Sequence, residues 1–328
     1  MGSTPAPREN EGEWIVADIG GTHARFARWT AAAGLDALAR HDNDDFADLA
    51  ALIDRYRRDA APAARQALLA FALPVGTGEM RMTNRDWSFT ADGLRAALGL
   101  SRLRVVNDFV AAAAGIGGLA PHERTHIGGG AQARGTTLVL GPGTGLGAAA
   151  IALVDGGEHV VASEAGHMSA APAGALAQAA YERARQRFGR VSWERLLCGE
   201  GLALFDATAR GADEVRPPAA VAAAAQAGEE AALRAASAFS RALGEFAGDL
   251  ALAFGATGVY LTGGVLQGLG SAFDALALRA GFEDKGRFSA LLHQVPCFRV
   301  DADDLALRGL ARLLAGAVSA PIVAVESG

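Results

Sequence analysis

Trp14-Ile-Val-Ala-Asp18-Ile-Gly20-Gly21-Thr22-His-Ala-Arg25-Phe-Ala-Arg-Trp29 decides how this chain is read. Residues 14–17 are an unbroken apolar run, the pattern of a buried strand. Residues 24–29 read as a second strand, so the two make a hairpin. Between them lies a turn with two glycines and a threonine. Glycines there let bare backbone N–H groups approach an anion, and the Thr22 hydroxyl adds a donor. Asp18 is placed to hold a hydrated metal ion. Taken alone, the stretch also fits an ordinary hairpin turn with structural glycines.

About 123 residues later the same opening recurs. Residues 137–140 read as a strand, Gly141-Pro-Gly143-Thr144-Gly145 as a turn and residues 147–154 as a second strand. This is an internal duplication. Two such turns, one per half, are expected to face each other across a cleft and grip a polyphosphate from both sides. Residues Gly143 to Ala148 also fit G-x-G-x-x-A, the dinucleotide fingerprint of a different enzyme class. That motif needs a long helix after the turn. Here Asp155-Gly-Gly157 interrupts after about ten residues, too soon for a crossover helix. A hairpin fits better.

Between and after the two openings the pattern is α/β. Asn43 and Asp44 are expected to cap a helix with the apolar stripe Phe46, Leu49, Leu52, Ile53 and Tyr56. Strands are expected at 67–73 and 103–106, and helices at 90–98 and 109–115. Gly117, Gly118 and Pro121 mark a domain boundary. Residues 163–172 form a polar loop, followed by helices at 174–188 and 192–197. The strongest helix is 230–254, with Phe239, Leu243, Phe246, Leu250 and Phe254 on one face and Gly255 as its stop. Residues 259–262 form a strand ending in Gly263-Gly264. A last helix at 305–315 precedes a short tail.

Composition narrows the function. The 328 residues imply two domains, or one large one, and 51% hydrophobic with 20% charged residues is globular. The formal net charge is −6, which argues against nucleic-acid and anionic-membrane partners. Cys198 and Cys297 form neither a disulfide framework nor a zinc motif. Lys285 is the only lysine, so no GxxxxGK[ST] loop exists and a P-loop NTPase is excluded. The first thirteen residues lack an apolar signal segment. The uncharged stretches 135–154 and 250–272 are glycine-rich and read as buried strand–turn segments rather than bilayer helices. The expected location is cytoplasmic.

Four polar positions carry candidate chemistry. Asp108 follows Asn107 at the carboxyl end of an apolar strand, where open α/β sheets place ligands. Its carboxylate is suited to take a proton from a substrate hydroxyl, or equally to cap the next helix. Glu164 and His167 form a carboxylate–imidazole pair suited to reading the hydroxyls of one polyol. Glu194 stands in a first helical turn, where an acidic residue complements the dipole. Glu123 and His126 repeat the E-x-x-H spacing, but Pro121 and Gly128 to Gly130 break the helices that a di-iron site would need.

These pieces occur in one order, and in that order the chain resembles the bacterial glucokinases of the hexokinase–actin ATPase superfamily, from about residue 14 to about residue 315. The matching motifs are Asp18-Ile-Gly-Gly-Thr-His-Ala-Arg25, Met82-Thr-Asn-Arg-Asp-Trp87, Asn107-Asp-Phe109, Gly143-Thr-Gly-Leu-Gly147, Glu164-Ala-Gly-His167, Glu194-Arg-Leu-Leu197, Thr262-Gly-Gly-Val265 and Glu283-Asp-Lys-Gly-Arg-Phe288. The resemblance implies that Asp108 is the base for the sugar 6-hydroxyl, and that Asn107, Glu164, His167 and Glu194 bind other hydroxyls. Thr83 and Asn84 would sit near the sugar. Gly20, Gly21 and Thr22 would form one phosphate loop, and Gly143, Thr144 and Gly145 the other. Asp18 would act near Mg²⁺ through water, and Gly263 and Gly264 would pass under the adenosine. His23, Ser163, Ala165, Met168 and Glu200 depart from the usual residues without removing a catalytic group. The cysteine-rich zinc motif of the related ROK kinases and repressors is missing.

The expected fold is a two-domain actin-like ATPase, ribonuclease H-like, with a small domain at 13–117 plus 305–328 and a large domain at 118–304. The expected reaction is ATP + D-glucose → ADP + glucose 6-phosphate, with Mg²⁺ and a homodimer implied by the resemblance. The alternatives are a non-catalytic sugar- or nucleotide-binding regulator on the same fold and an NAD-dependent oxidoreductase.

Overall fold

Strand Trp14–Ile19 pairs antiparallel with His23–Thr30 on one side and parallel with Gln66–Phe71 on the other. An interior strand has both faces covered, which is why every residue in it except Asp18 is buried. The computed structural model describes residues 10, 12–73, 75–76, 78–82 and 85–327. The first sheet runs in the order Val323–Glu326, Arg102–Asn107, Gln66–Phe71, Trp14–Ile19, His23–Thr30, Gly34–Asp42. The second runs Arg124–Gly128, Cys297–Val300, Gly258–Leu261, Thr137–Pro142, Leu146–Val154, Gly157–Ser163.

The two sheets share one plan. In each, an antiparallel hairpin (His23–Thr30 on Trp14–Ile19, Leu146–Val154 on Thr137–Pro142) leads to two parallel pairings and then one antiparallel pairing at the edge. The duplication visible in the two openings therefore extends across both sheets. The edge strands differ: Val323–Glu326 comes last in the chain, and Arg124–Gly128 comes before its hairpin.

The chain divides into two compact units. One takes the chain through Leu119, Leu153–Ala162 and the stretch from Ala302. The other takes Ala120–Ala152 and Ser163–Asp301. Each has its own core. The first is built on Ile15, Phe26, Leu52, Ile53, Leu69 and Val105; the second on Leu138, Leu140, Phe205, Phe239, Leu243 and Phe246. Helix Glu230–Phe254 buries Phe239, Leu243, Phe246 and Leu250, and Gly255 closes it in a left-handed conformation, as expected from its stripe.

One helix pair in the first unit bears directly on function. Helix Asp108–Gly115 packs against Leu305–Leu314 with almost no side chain between them. A Cβ on Gly309 would lie 1.7 Å from the Ala111 carbonyl oxygen, and one on Gly115 would lie 2.2 Å from that of Leu305. Backbone-to-backbone contact fixes the helix that begins at Asp108.

Two readings are corrected. Helix Leu49–Ala60 is capped by Asp48, whose carboxylate accepts from the Ala51 N–H at 2.7 Å, and not by Asn43 or Asp44. Asn43–Asp45 is a short 3-10 turn, and Phe46 lies outside the helix. The tail is not featureless, because Val323–Glu326 extends the first sheet. Strand Gly34–Asp42 was also unforeseen. It is an edge strand with no fully buried residue, so it carries no apolar run to read. Among the described residues no helix is long and apolar enough to cross a membrane.

Candidate active site

Asn107 ends its strand in extended geometry and caps the next helix, so its Oδ1 accepts from the N–H groups of Phe109 at 2.9 Å and Val110 at 3.3 Å. Its Nδ2 donates to the Leu73 carbonyl at 3.2 Å. The capping role that both residues were suited to thus falls to Asn107. Asp108 becomes the first helical residue, half-buried, with Oδ1 accepting from the Phe109 N–H at 2.9 Å. A carboxylate in a first helical turn complements the positive end of the helix dipole.

The first turn is held from outside the hairpin. Gly20 N–H donates to the His23 carbonyl at 3.0 Å. The fully buried Asn43 donates from Nδ2 to the carbonyls of Gly20 at 2.8 Å and Gly21 at 3.2 Å, and its backbone N–H donates to Thr22 O at 2.8 Å. Asp18 and Arg25 face each other across the hairpin, 3.5 Å apart. Burial pushes the Asp18 carboxyl above its ordinary range, and the Arg25 charge opposes that. Among the described residues no three His, Cys, Asp or Glu side chains gather as a metal cage. One carboxylate beside a phosphate turn instead suits Mg²⁺, which keeps most of its waters and takes its other ligands from substrate phosphates.

A raised carboxyl pKa makes a stability statement. Asp18 costs nothing below its unfolded value, and the cost grows as pH rises through the folded value. At pH 7 the ionised group therefore destabilises the fold. Asp18→Asn is expected to raise the melting temperature at pH 7 by roughly 1–3 °C, with no gain at pH 3, and to lower activity. Scanning calorimetry at the two pH values checks this.

In the second unit the predicted residues come together. Gly143 N–H donates to the Gly145 carbonyl at 2.8 Å, closing the turn. Glu194, in the four-residue helix Trp193–Leu196, accepts from the Leu146 N–H on Oε2 at 3.1 Å. A Cβ on Gly145 would lie 2.6 Å from that same Oε2, so any larger residue there displaces the Glu194 carboxylate. The other oxygen, Oε1, is 3.7 Å from His167 Nδ1, and His167 Nε2 is 3.8 Å from Glu164 Oε2. An imidazole thus stands between two carboxylates, with His167 and Glu164 more than half exposed and Glu194 27% exposed. The loop carrying them is stitched down: a Cβ on Gly166 would lie 2.2 Å from the Leu146 carbonyl, Ser169 bridges to Ser192, and Arg190 donates to the His167 carbonyl at 2.8 Å. Gly263 adopts φ 108° where a Cβ would lie 2.6 Å from the Pro142 carbonyl, which sets Gly263-Gly264 against the base of the second turn.

Gly143 to Ala148 lead into an antiparallel strand, not a helix, which removes the dinucleotide reading. Glu123 and His126 make no metal pair: Glu123 accepts from Ala120 N–H at 2.8 Å and His126 lies against Phe298. Asp108, Asn107 and the first turn belong to the first unit, whereas Glu164, His167, Glu194, the second turn and Gly263-Gly264 belong to the second. Thr83 and Asn84 lie outside the described residues. Sequence reasoning missed Asn43, whose partners are more than twenty positions away. It also missed the Leu146–Glu194 bond, because helix-dipole complementation already accounted for Glu194.

Comparison with known proteins agrees with this geometry. A family model described as Glucokinase matches residues 15–317. The glucokinase of Chromobacterium violaceum is 40% identical over 309 residues, which cover 92% of this chain and 89% of that protein. A bifunctional protein glk of Burkholderia lata is 37% identical over 322 residues, which cover 96% of this chain and 50% of that protein. The chain therefore spans about half the length of the bifunctional relatives it matches. Among solved structures, a glucokinase from an Antarctic psychrotroph superposes with a TM-score of 0.77 at 31% identity, covering 93% of this chain and 99% of that one. Its fold is the two-domain actin-like ATPase fold. With the match running through both Gly-Thr turns and every polar residue described above, the chain belongs to the glucokinase family.

Proposed function

We propose that the chain transfers the γ-phosphoryl group of ATP to the 6-hydroxyl of D-glucose, giving ADP and glucose 6-phosphate. The observation that carries this reading is the bond from Leu146 N–H to Glu194. It fixes a Gly-Thr-Gly turn and a Glu164–His167–Glu194 cluster to one another, so an anion-binding loop and a hydroxyl-reading group share one carboxylate.

Two carboxylates and an imidazole supply acceptors and a donor for vicinal hydroxyls. A hexose lacking one of those hydroxyls leaves a polar group unpaired, which is the source of selectivity. Asn107 and the Thr83-Asn84 pair complete the sugar contacts. Asp108 accepts the proton of the 6-hydroxyl as that oxygen bonds to phosphorus, and ADP departs with the electron pair of the broken P–O bond. Phosphoryl transfer asks the protein mainly to position and to neutralise charge. The N–H groups of Gly20 to Thr22 and of Gly143 to Gly145 bind phosphate oxygens, and Gly263-Gly264 lies under the adenosine. Mg²⁺, held through water by Asp18, would supply charge neutralisation on the β- and γ-phosphates. With no P-loop lysine, backbone amides carry what that side chain does elsewhere.

The family resemblance further supports a cytoplasmic enzyme at the head of glycolysis that works as a homodimer. The test is ADP release from Mg-ATP with glucose, fructose, mannose, galactose and N-acetylglucosamine. Turnover on glucose above the others is the expected result. Folded protein that binds nucleotide and turns over no sugar would overturn the reading in favour of a regulator.

A further inference from the structure

We propose that Asn43 is the positioning residue of the first phosphate turn: it aims that turn's N–H groups at the nucleotide. This rests on the phosphotransfer reading above.

Asn43 holds three consecutive carbonyls, those of Gly20 and Gly21 by its side-chain amide and that of Thr22 by its backbone N–H. A trans peptide is planar, so the N–H of each unit points opposite to its C=O. Drawing the Gly20 and Gly21 carbonyls inward to Asn43 therefore turns the N–H groups of Gly21 and Thr22 outward. These are the donors that an anion at this turn needs. The glycines have no side-chain preference of their own to enforce that orientation.

The amide orientation is forced. Two carbonyls face the group, so the NH₂ must lie toward them, since oxygen there would meet two acceptors. Asn43 Oδ1 is consequently left buried without a hydrogen-bond partner. A fold that needed only a cap at this point would not require an unpaired acceptor, and the helix that follows has its own cap in Asp48. The neighbours work in the same direction. Asp42 lies 3.7 Å from His23, the residue that closes the turn, and Asp44 pairs with Arg85. Three successive side chains thus reach the turn, the strand that follows it and Arg85.

Asn43→Ala deletes the two side-chain bonds and keeps the backbone bond to Thr22. The expected result is a KM for Mg-ATP raised at least ~tenfold, with the glucose KM within about twofold of wild type. A purely structural role would lower the folded fraction and hence apparent kcat, and leave both KM values alone. A second measurement does not depend on the variant folding. In wild-type protein labelled with ¹⁵N-glycine and ¹⁵N-threonine, the Gly21 and Thr22 amide signals should shift when Mg²⁺ and a non-hydrolysable ATP analogue are added with glucose. An unchanged Mg-ATP KM in Asn43→Ala, or unmoved Gly21 and Thr22 signals in protein that binds the analogue, overturns the proposal and leaves the phosphotransfer reading intact. Wild-type protein that neither binds the analogue nor phosphorylates a sugar overturns both.

Discussion

Asp108→Asn is expected to lower kcat at least ~10³-fold while the glucose KM moves by less than about threefold. Such a loss equals about 4 kcal/mol of transition-state stabilisation. A positioned general base contributes roughly 10²–10⁴ in rate, and Asp108 also orients the attacking oxygen. Asparagine keeps the shape and the acceptor oxygen that takes the Phe109 N–H. It removes the charge and the basicity. Because Asn107 provides the helix cap, the cap is kept, and the lost charge–dipole interaction costs about 0.3–1 kcal/mol. Asp108→Ala should fall as far in kcat. Steady-state kinetics on protein with an unchanged circular-dichroism spectrum decides the matter. A variant within tenfold of wild type would remove Asp108 from the chemistry.

The second large effect is expected at Glu194. Glu194→Ala should lower kcat/KM for glucose ~10³-fold and also raise the Mg-ATP KM about tenfold. One oxygen of this carboxylate accepts from the Leu146 N–H at the end of the second turn, and the other faces His167. Losing a partner for a part-buried N–H costs about 1–3 kcal/mol and loosens the turn. Glu164→Gln and His167→Ala touch no phosphate turn. They should raise the glucose KM about 10- to 100-fold and leave that for Mg-ATP alone. Initial rates with both substrates varied separate the two patterns. If all three variants shift only the glucose KM, the Leu146–Glu194 bond does not couple the sugar group to the turn.

What was legible beforehand follows from what a sequence can encode locally. Interior strands such as Trp14–Ile19 and Thr137–Pro142 announce themselves because burial on both faces demands an apolar run. The Glu230–Phe254 helix shows its stripe for the same reason. The two Gly-Thr turns are short and contiguous, so the hairpins they close were legible as such. Strand Gly34–Asp42 was not legible, because an edge strand with little buried surface needs no pattern. Asn43 was not legible either. A local explanation, helix capping, was available for it, and its carbonyl partners are brought to it only by the strand pairing of His23 with Asp42. The Glu164–His167 pair could be read from its residues, but the joining of Glu194 to it was implied by family resemblance alone. Its physical cause is the stitching of one loop through Gly166 and Ser169.

The clasp between Asp108–Gly115 and Leu305–Leu314 has a consequence for how the protein is made. The second unit is complete once Asp301 has left the ribosome. The first unit starts earlier and finishes later, because its sheet edge and the partner of its Asp108 helix are translated after Asp301. Vectorial synthesis and order of completion are therefore reversed for the two units. A nascent chain arrested after Asp301 should already protect the second core from protease, while the Asp108 helix still lacks its partner Leu305–Leu314. Asp108, the proposed base, gains its fixed place only when Gly309 docks against Ala111, after the second unit is already complete.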